Sequence, residues 1–171
     1  MKTLVLVRHA KSSWADGAQD DHDRPLNERG LRDAPRMAKR LAARPPHPDA
    51  IVSSTARRAR DTAAAFAAAL GAGPAAFRLE AALYHAAPQE ALALIAGFPD
   101  SWESAVCVGH NPGLTALAAG VFGAPVEHMP TGSVVRLWFD TRCWSQVPHS
   151  RPLRGDFDWP KNESTDPRPW P

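Results

Sequence analysis

Lys2-Thr3-Leu4-Val5-Leu6-Val7-Arg8-His9-Ala10-Lys11-Ser12 opens the chain, and its reading decides the fold class. Leu4 to Val7 is a continuous apolar run, the pattern of a short strand covered on both faces. Arg8 and His9 cut the run at five residues counted from Thr3, below the ~7 of a signal-peptide core. A buried strand that ends in charge is the better reading. Two more short apolar runs follow the same design: Ala50 to Val52, and Ala105 to Val108. A weaker extended run spans Phe77 to Leu79.

Helical spacing fills the intervals. Glu28 to Ala43 places Leu31, Ala34, Ala38, Leu41 and Ala42 on one stripe, with Pro35 predicting a kink or a later start. Ala56 to Leu70 carries Ala59, Ala63, Phe66 and Leu70, with Gly71 as its stop. Pro88 to Ala96 and Pro112 to Val121 are two further helices. Val134 to Phe139, a turn at 140–142, and Cys143 to Val147 predict a terminal hairpin. Strands alternating with helices predict an α/β fold, a three-layer α/β/α sandwich with a mostly parallel central sheet and an antiparallel C-terminal hairpin. Residues 1–148 form the expected domain. Residues 149–171, with Pro152, Pro160, Pro167, Pro169 and Pro171, are expected to be an irregular Pro-rich tail packing back through Trp159 or staying mobile.

Bulk properties narrow the function classes. The 171 residues suit one domain. Hydrophobic residues at 44% and charged residues at 22% exclude wholesale disorder. A formal charge of +2 gives no argument for a nucleic-acid or membrane partner. No apolar stretch approaches the ~20 residues of a membrane span. Cys107 and Cys143 cannot build a disulfide framework, so a reduced, cytoplasmic setting is expected, and Cys107 reads as a packing residue.

The chemistry gathers where an α/β sheet binds ligands, at the carboxyl ends of its strands. The first strand ends in Arg8-His9-Ala10-Lys11-Ser12, the second in Ser53-Ser54-Thr55-Ala56-Arg57-Arg58, the third in Gly109-His110-Asn111-Pro112-Gly113. Each precedes a helix whose amino end favours an anion. Arginine matches phosphate oxygens with a planar fork of donors. A neutral imidazole can attack phosphorus, nearby arginines keep it unprotonated, and a second histidine can donate to the developing oxyanion. Neither a metal nor another cofactor is required. His22, His47, His85, His128 and His149 lack metal-ligand spacing. His85 and His128 read as surface or structural residues that could border the pocket, and Asp20 to Asp23 as a solvated loop.

Arg8-His9-Ala10 with Ser12 and Trp14, then Arg24-Pro25-Leu26-Asn27 with Gly30, resemble the first signature of the histidine phosphatase superfamily, also called phosphoglycerate mutase-like. Ser53-Ser54 with Arg58-Ala59 and Thr62-Ala63 resembles its second signature, and Val108-Gly109-His110-Asn111 its third. Within it the short chain, with Leu83-Tyr84-His85-Ala86, looks most like the SixA-type phosphohistidine phosphatases. The resemblance implies that His9 is the phosphorylated nucleophile and that Arg8, Arg58 and His110 complete a catalytic phosphate pocket. Arg57 rivals Arg58, which keeps the family spacing. Ser12 and Asn111 join Arg8, Arg58 and His110 as phosphate-binding candidates. Glu80 is the candidate general acid, at the position after the second helix where mutase-like relatives place a glutamate.

Ala10 replaces the usual glycine, Lys11 stands where relatives often carry an acid, and Ala15 replaces the asparagine of mutase relatives. The expected function is a metal-independent phosphatase with a phosphohistidine intermediate, acting on phosphohistidine in signalling proteins. The alternatives are a phosphomonoesterase on a small phosphorylated metabolite and a phosphate-binding module without turnover.

Overall fold

Why do three separate sequence motifs meet? In the computed structural model, which describes residues 1–164 and 166–171, seven strands form one mixed sheet. They are β1 (Lys2–Arg8), β2 (Ala50–Ser54), β3 (Phe77–Glu80), β4 (Ser104–Gly109), β5 (Val134–Phe139), β6 (Arg154–Asp158) and β7 (Arg168–Trp170). Their order is β3-β2-β4-β1-β5-β6-β7. The first four in this order run parallel, and β5, β6 and β7 add antiparallel.

Period-2 alternation assigns the faces. Val5, Val7, Ile51, Val106 and Val108 pack with Met37, Ala38 and Leu41 of α1 (Glu28–Ala42) and Ala59, Ala63 and Phe66 of α2 (Arg57–Leu70). Leu4, Leu6, Val52, Ala105 and Cys107 face the other way, toward Ile95 of α3 (Pro88–Ala96) and Leu114, Leu117 and Ala118 of α4. α4 begins as Gly113–Thr115 and widens into a π-helical turn, Ala116–Val121. The three-layer α/β/α expectation is met.

Pro35 neither delays nor divides α1, which starts at Glu28 with Asn27 accepting the Gly30 N–H at 2.9 Å. Burial of Ala34, Met37, Ala38 and Leu41 outweighs one missing hydrogen bond. Leu31, expected on the apolar stripe, is 60% exposed. The antiparallel hairpin forms, but with different residues. Trp144–His149 is a 3₁₀ segment rather than a strand, because Trp144 and Val147, three apart, both turn into the core.

The partner of β5 is β6, inside the tail expected to be irregular. Pro152 and Pro160 flank β6 without entering it, and Pro169 sits in an edge strand, where a missing N–H breaks no interior ladder. Arg36 donates to the Pro160 carbonyl, Arg40 donates to the Asn162 carbonyl at 3.2 Å, and Arg40 and Arg44 hold Asp158 at 2.9 and 3.1 Å. Trp159 stacks on Phe157 with ring centroids 4.9 Å apart.

Candidate active site

Register brings the strand ends together. Arg8 pairs with Gly109 across β1 and β4, and Ser53 with Val108 across β2 and β4. His9, Ser54 and His110 therefore lie at one level of the carboxyl edge. The His9 N–H donates to the Gly109 carbonyl at 3.1 Å, and the His9 and His110 rings lie 5.1 Å apart. The loop after His9 needs close backbone approach from α1. A Cβ on Gly30 would sit 2.1 Å from the Lys11 carbonyl oxygen, so only glycine fits there. Ala10, in place of the usual glycine, is fully buried and donates its N–H to Thr62 Oγ1 at 3.0 Å.

The tautomer of His9 follows from its partners. Arg58 Nε lies 3.3 Å from His9 Nε2 and can only donate, so Nε2 accepts. His9 Nδ1 lies 2.7 Å from the Ala10 carbonyl, which can only accept, so Nδ1 carries the hydrogen. Burial pushes the pKa of this ring from 6.5 down to about 4. The Ala10 hydrogen bond opposes the shift, and the charges of Arg58, Arg8 and Arg24 add to it. His9 is thus a neutral imidazole at pH 7 with its Nε2 lone pair turned toward a guanidinium.

Arg58 is buried and Arg57 lies on the surface beside Asp61, so Arg58 is the arginine that reaches the site. Its two terminal nitrogens donate to the Asp21 main-chain carbonyl and, at 2.9 Å, to Asp21 Oδ2. Arg8 donates to the Met129 carbonyl at 2.7 Å and contacts His128 Nε2 at 3.1 Å, while its buried Nε has no partner among the described residues. His110 Nε2 lies 2.8 Å from Ser54 Oγ, and its buried Nδ1 likewise has no partner. Burial, then the His9, Arg58 and His85 charges, lower the His110 pKa to about 3.

Asp21, read as part of a solvated loop, is instead the hub of the site. It accepts from Arg58, from Arg24 at 3.0 Å, from the Tyr84 hydroxyl at 2.8 Å and from His85 Nε2 at 3.2 Å. Burial alone would raise its carboxyl pKa. Hydrogen bonds from Tyr84 and Arg58 overcome that and hold it well below the usual carboxylate range. Arg24 is buried, donates to Ser12 Oγ, and lies over the Trp14 ring at 3.3 Å. His85 and His128 both border the cluster. Only the folded loop could reveal Asp21, since four aspartates between residues 16 and 23 look alike in sequence.

Three candidates are placed differently from expectation. Ser12 is buried but engaged by Arg24. Asn111 is turned to structural work: its amide donates to the Met129 carbonyl at 3.0 Å and its oxygen accepts from Thr115. Glu80 pairs with Ser54 in register, on the sheet's edge strand, and lines a cavity with Arg78, Leu94, Phe98 and Trp102. It makes no hydrogen bond to the His9 cluster. Its register places it beside Ser54, and the cavity it lines includes Leu94 of α3.

Comparison with known proteins bears on the family and the fold. The family model described as "Histidine phosphatase superfamily (branch 1)" matches residues 4–84. An uncharacterized protein of Mycobacterium tuberculosis is 41% identical over 112 residues, covering 66% of this chain and 67% of the relative. A solved structure from Agrobacterium tumefaciens, provisionally named phosphohistidine phosphatase SixA, is 30% identical. It aligns with a TM-score of 0.77 over 92% of this chain and 97% of its own. Another of the same provisional name, from Nakamurella multipartitia, gives a TM-score of 0.81 at 28% identity over 94% and 96% of the two chains.

Proposed function

The chain belongs to the histidine phosphatase superfamily and is a phosphatase, and from that premise we propose that it works through a phospho-His9 intermediate on phosphohistidine carried by proteins. The observation that carries the reading is the His9 ring itself. Its Nδ1–H is fixed on the Ala10 carbonyl, and its Nε2 lone pair is held in a buried, cationic setting beside Arg58. That is the protonation state a nucleophile requires at neutral pH.

The remaining parts follow from donor counts. Of the five N–H groups of Arg58, three have partners in the ligand-free protein and two remain for phosphoryl oxygens. Arg8 offers its unpartnered Nε. Ser54 Oγ accepts from the Ala56 N–H at 3.3 Å, so its own hydrogen can go to His110 Nε2. His110 Nδ1 then carries a proton and donates to the oxyanion as charge develops. His9 Nε2 attacks phosphorus, the bond to the leaving group breaks, and water later attacks phospho-His9 to return the imidazole. Charge neutralisation is assigned to Arg8, Arg24 and Arg58.

A protein substrate is favoured by the mouth of the site. Two shallow cavities, 360 and 540 Å³, flank Asn111 and Pro112 and run along the small residues of α4, from His85 to His128. They give an apolar shelf that a polypeptide around a phosphohistidine can cover. The test is phosphate release from a phosphohistidine peptide by the wild type and by His9→Ala, with acid-labile phosphate on the protein trapped in parallel. Release and trapping by the wild type alone support the reading. Release by the variant overturns the mechanism, and a strong preference for small esters overturns the substrate assignment.

A further inference from the structure

His85 is the one non-glycine residue among those described with a positive φ, 52°. An L-residue held there is strained unless its surroundings fix it. Two contacts do so. A Cβ on Gly113 would lie 2.0 Å from the Ala86 carbonyl oxygen, so the turn is pressed against the start of α4. Asp21 Oδ2 lies 3.2 Å from His85 Nε2. The strain sets the imidazole at the mouth of the site, 4.2 Å from the Tyr84 ring and 5.5 Å from that of His110, where its side chain is 53% exposed. The ring borders the 360 Å³ cavity, which Glu90 of α3 also lines.

Asp21 also settles which nitrogen is free. A carboxylate only accepts, so Nε2 carries the hydrogen toward it, and Nδ1 has no hydrogen-bond partner among the described residues. A carboxylate that fixes one imidazole nitrogen and leaves the other to exchange protons is a recurring catalytic arrangement. The groups around the ring are Asp21, with Arg58 and Arg24 behind it, Tyr84, His110 and Glu90.

We propose that His85, oriented by Asp21, exchanges protons with the leaving group and the water. The proposal rests on the phospho-His9 reading. With Nε2–H held by Asp21, Nδ1 first takes a proton from solvent. As His9 Nε2 bonds to phosphorus and the bond to the leaving group breaks, the electron pair goes to the leaving atom, a phosphohistidine nitrogen or an ester oxygen, which takes that Nδ1 proton. The protonated leaving group departs. Water then attacks the phosphoryl group and gives one proton to the now neutral Nδ1, while the phosphorus–nitrogen pair returns to His9. Asp21 is a positioning residue in both steps.

The experiment compares two esters that differ in how much their leaving oxygen needs a proton, p-nitrophenyl phosphate and glycerol phosphate. His85→Asn is the chosen variant because Asn tolerates positive φ. Loss of a general acid costs about 10²–10⁴-fold where the leaving group is poor. We expect kcat/KM to fall about a hundredfold or more on glycerol phosphate and by about tenfold or less on the nitrophenyl ester. Asp21→Asn should give the same pattern, weaker, and His85→Asn should accumulate phospho-His9 because the base for the second step is gone. Equal losses on both esters, or none on either, overturn the His85 assignment while trapped phospho-His9 in the wild type keeps the underlying mechanism. Absence of phospho-His9 from the wild type overturns both.

Discussion

Two buried arginines sit on opposite halves of the same sheet, and they are used in opposite ways. Arg136 on β5 is matched to a single carboxylate. Its Nε reaches both Asp156 oxygens at 2.9 and 3.0 Å, a second nitrogen also meets Asp156, and a third donates to the Arg44 carbonyl at 3.3 Å. Arg58, at the parallel half's carboxyl edge, shares one carboxylate, Asp21, with Arg24, while Arg8 stands by with an unpartnered Nε. Both guanidiniums are almost out of water. Burial therefore does not separate a structural charge from a functional one. The surplus of positive charge, and a neutral imidazole facing it, does.

The largest effect that would sharpen this contrast is on His9. His9→Ala should reduce phosphate release by about 10⁴-fold or more, with secondary structure by circular dichroism unchanged. The next falls on the other half. Arg136→Ala leaves Asp156 buried without its partner, which costs about 3–5 kcal/mol of stability by chemical denaturation. Turnover per folded molecule should stay at the wild-type value; a matching loss of turnover would break the distinction. Arg58→Ala should behave in reverse, losing about 10²–10³-fold in kcat while its melting temperature moves little.

A smaller effect belongs to pH. The pKa values of His9 and His110 lie near 4 and 3, below the 6.5 of an unperturbed imidazole. Between those values the unfolded chain binds more protons, so stability is lost as pH falls from about 6.5 toward 4. Urea melts at pH 4.5 and 7 on wild type and on His110→Gln should show a shallower pH slope in the variant. Activity should hold down to about pH 4 on the His9 side, since only the unprotonated ring attacks. Arg57→Ala, on the exposed face of α2, should change neither rate nor melting temperature measurably.

Legibility in the sequence follows the same division. The parallel half could be read because each strand is a short apolar run that ends in its own chemistry, and local order along the chain equals order of function. Arg8, His9, Arg58 and His110 were visible for that reason. Asp21 was not, since its role depends on which of several aspartates folds over the strand ends. His85 reads from the sequence as a surface or structural residue that could border the pocket, and it does border it, but its backbone strain leaves no mark on composition. In the antiparallel half, prolines signal an irregular tail, yet they fall just outside β6 or on the sheet's edge. Trp144 and Val147 imitate a strand's apolar content while their spacing fits a tighter turn. Glu80 occupies the expected stretch of sequence, on the sheet's edge strand in register with Ser54, and makes no hydrogen bond to the His9 cluster.

The outermost strands carry a consequence of another kind. On one border lies β7, three residues long, with Pro169 lacking the hydrogen a further strand would need. On the other lies β3, four residues long, with Arg78 and Glu80 among them. Exposed borders of a sheet are templates on which other chains can accrete. Here both borders are short, one is interrupted by proline, and both carry charge. Molecules crowded together at high concentration thus meet without a strand to extend, and the open-ended sheet stays finite.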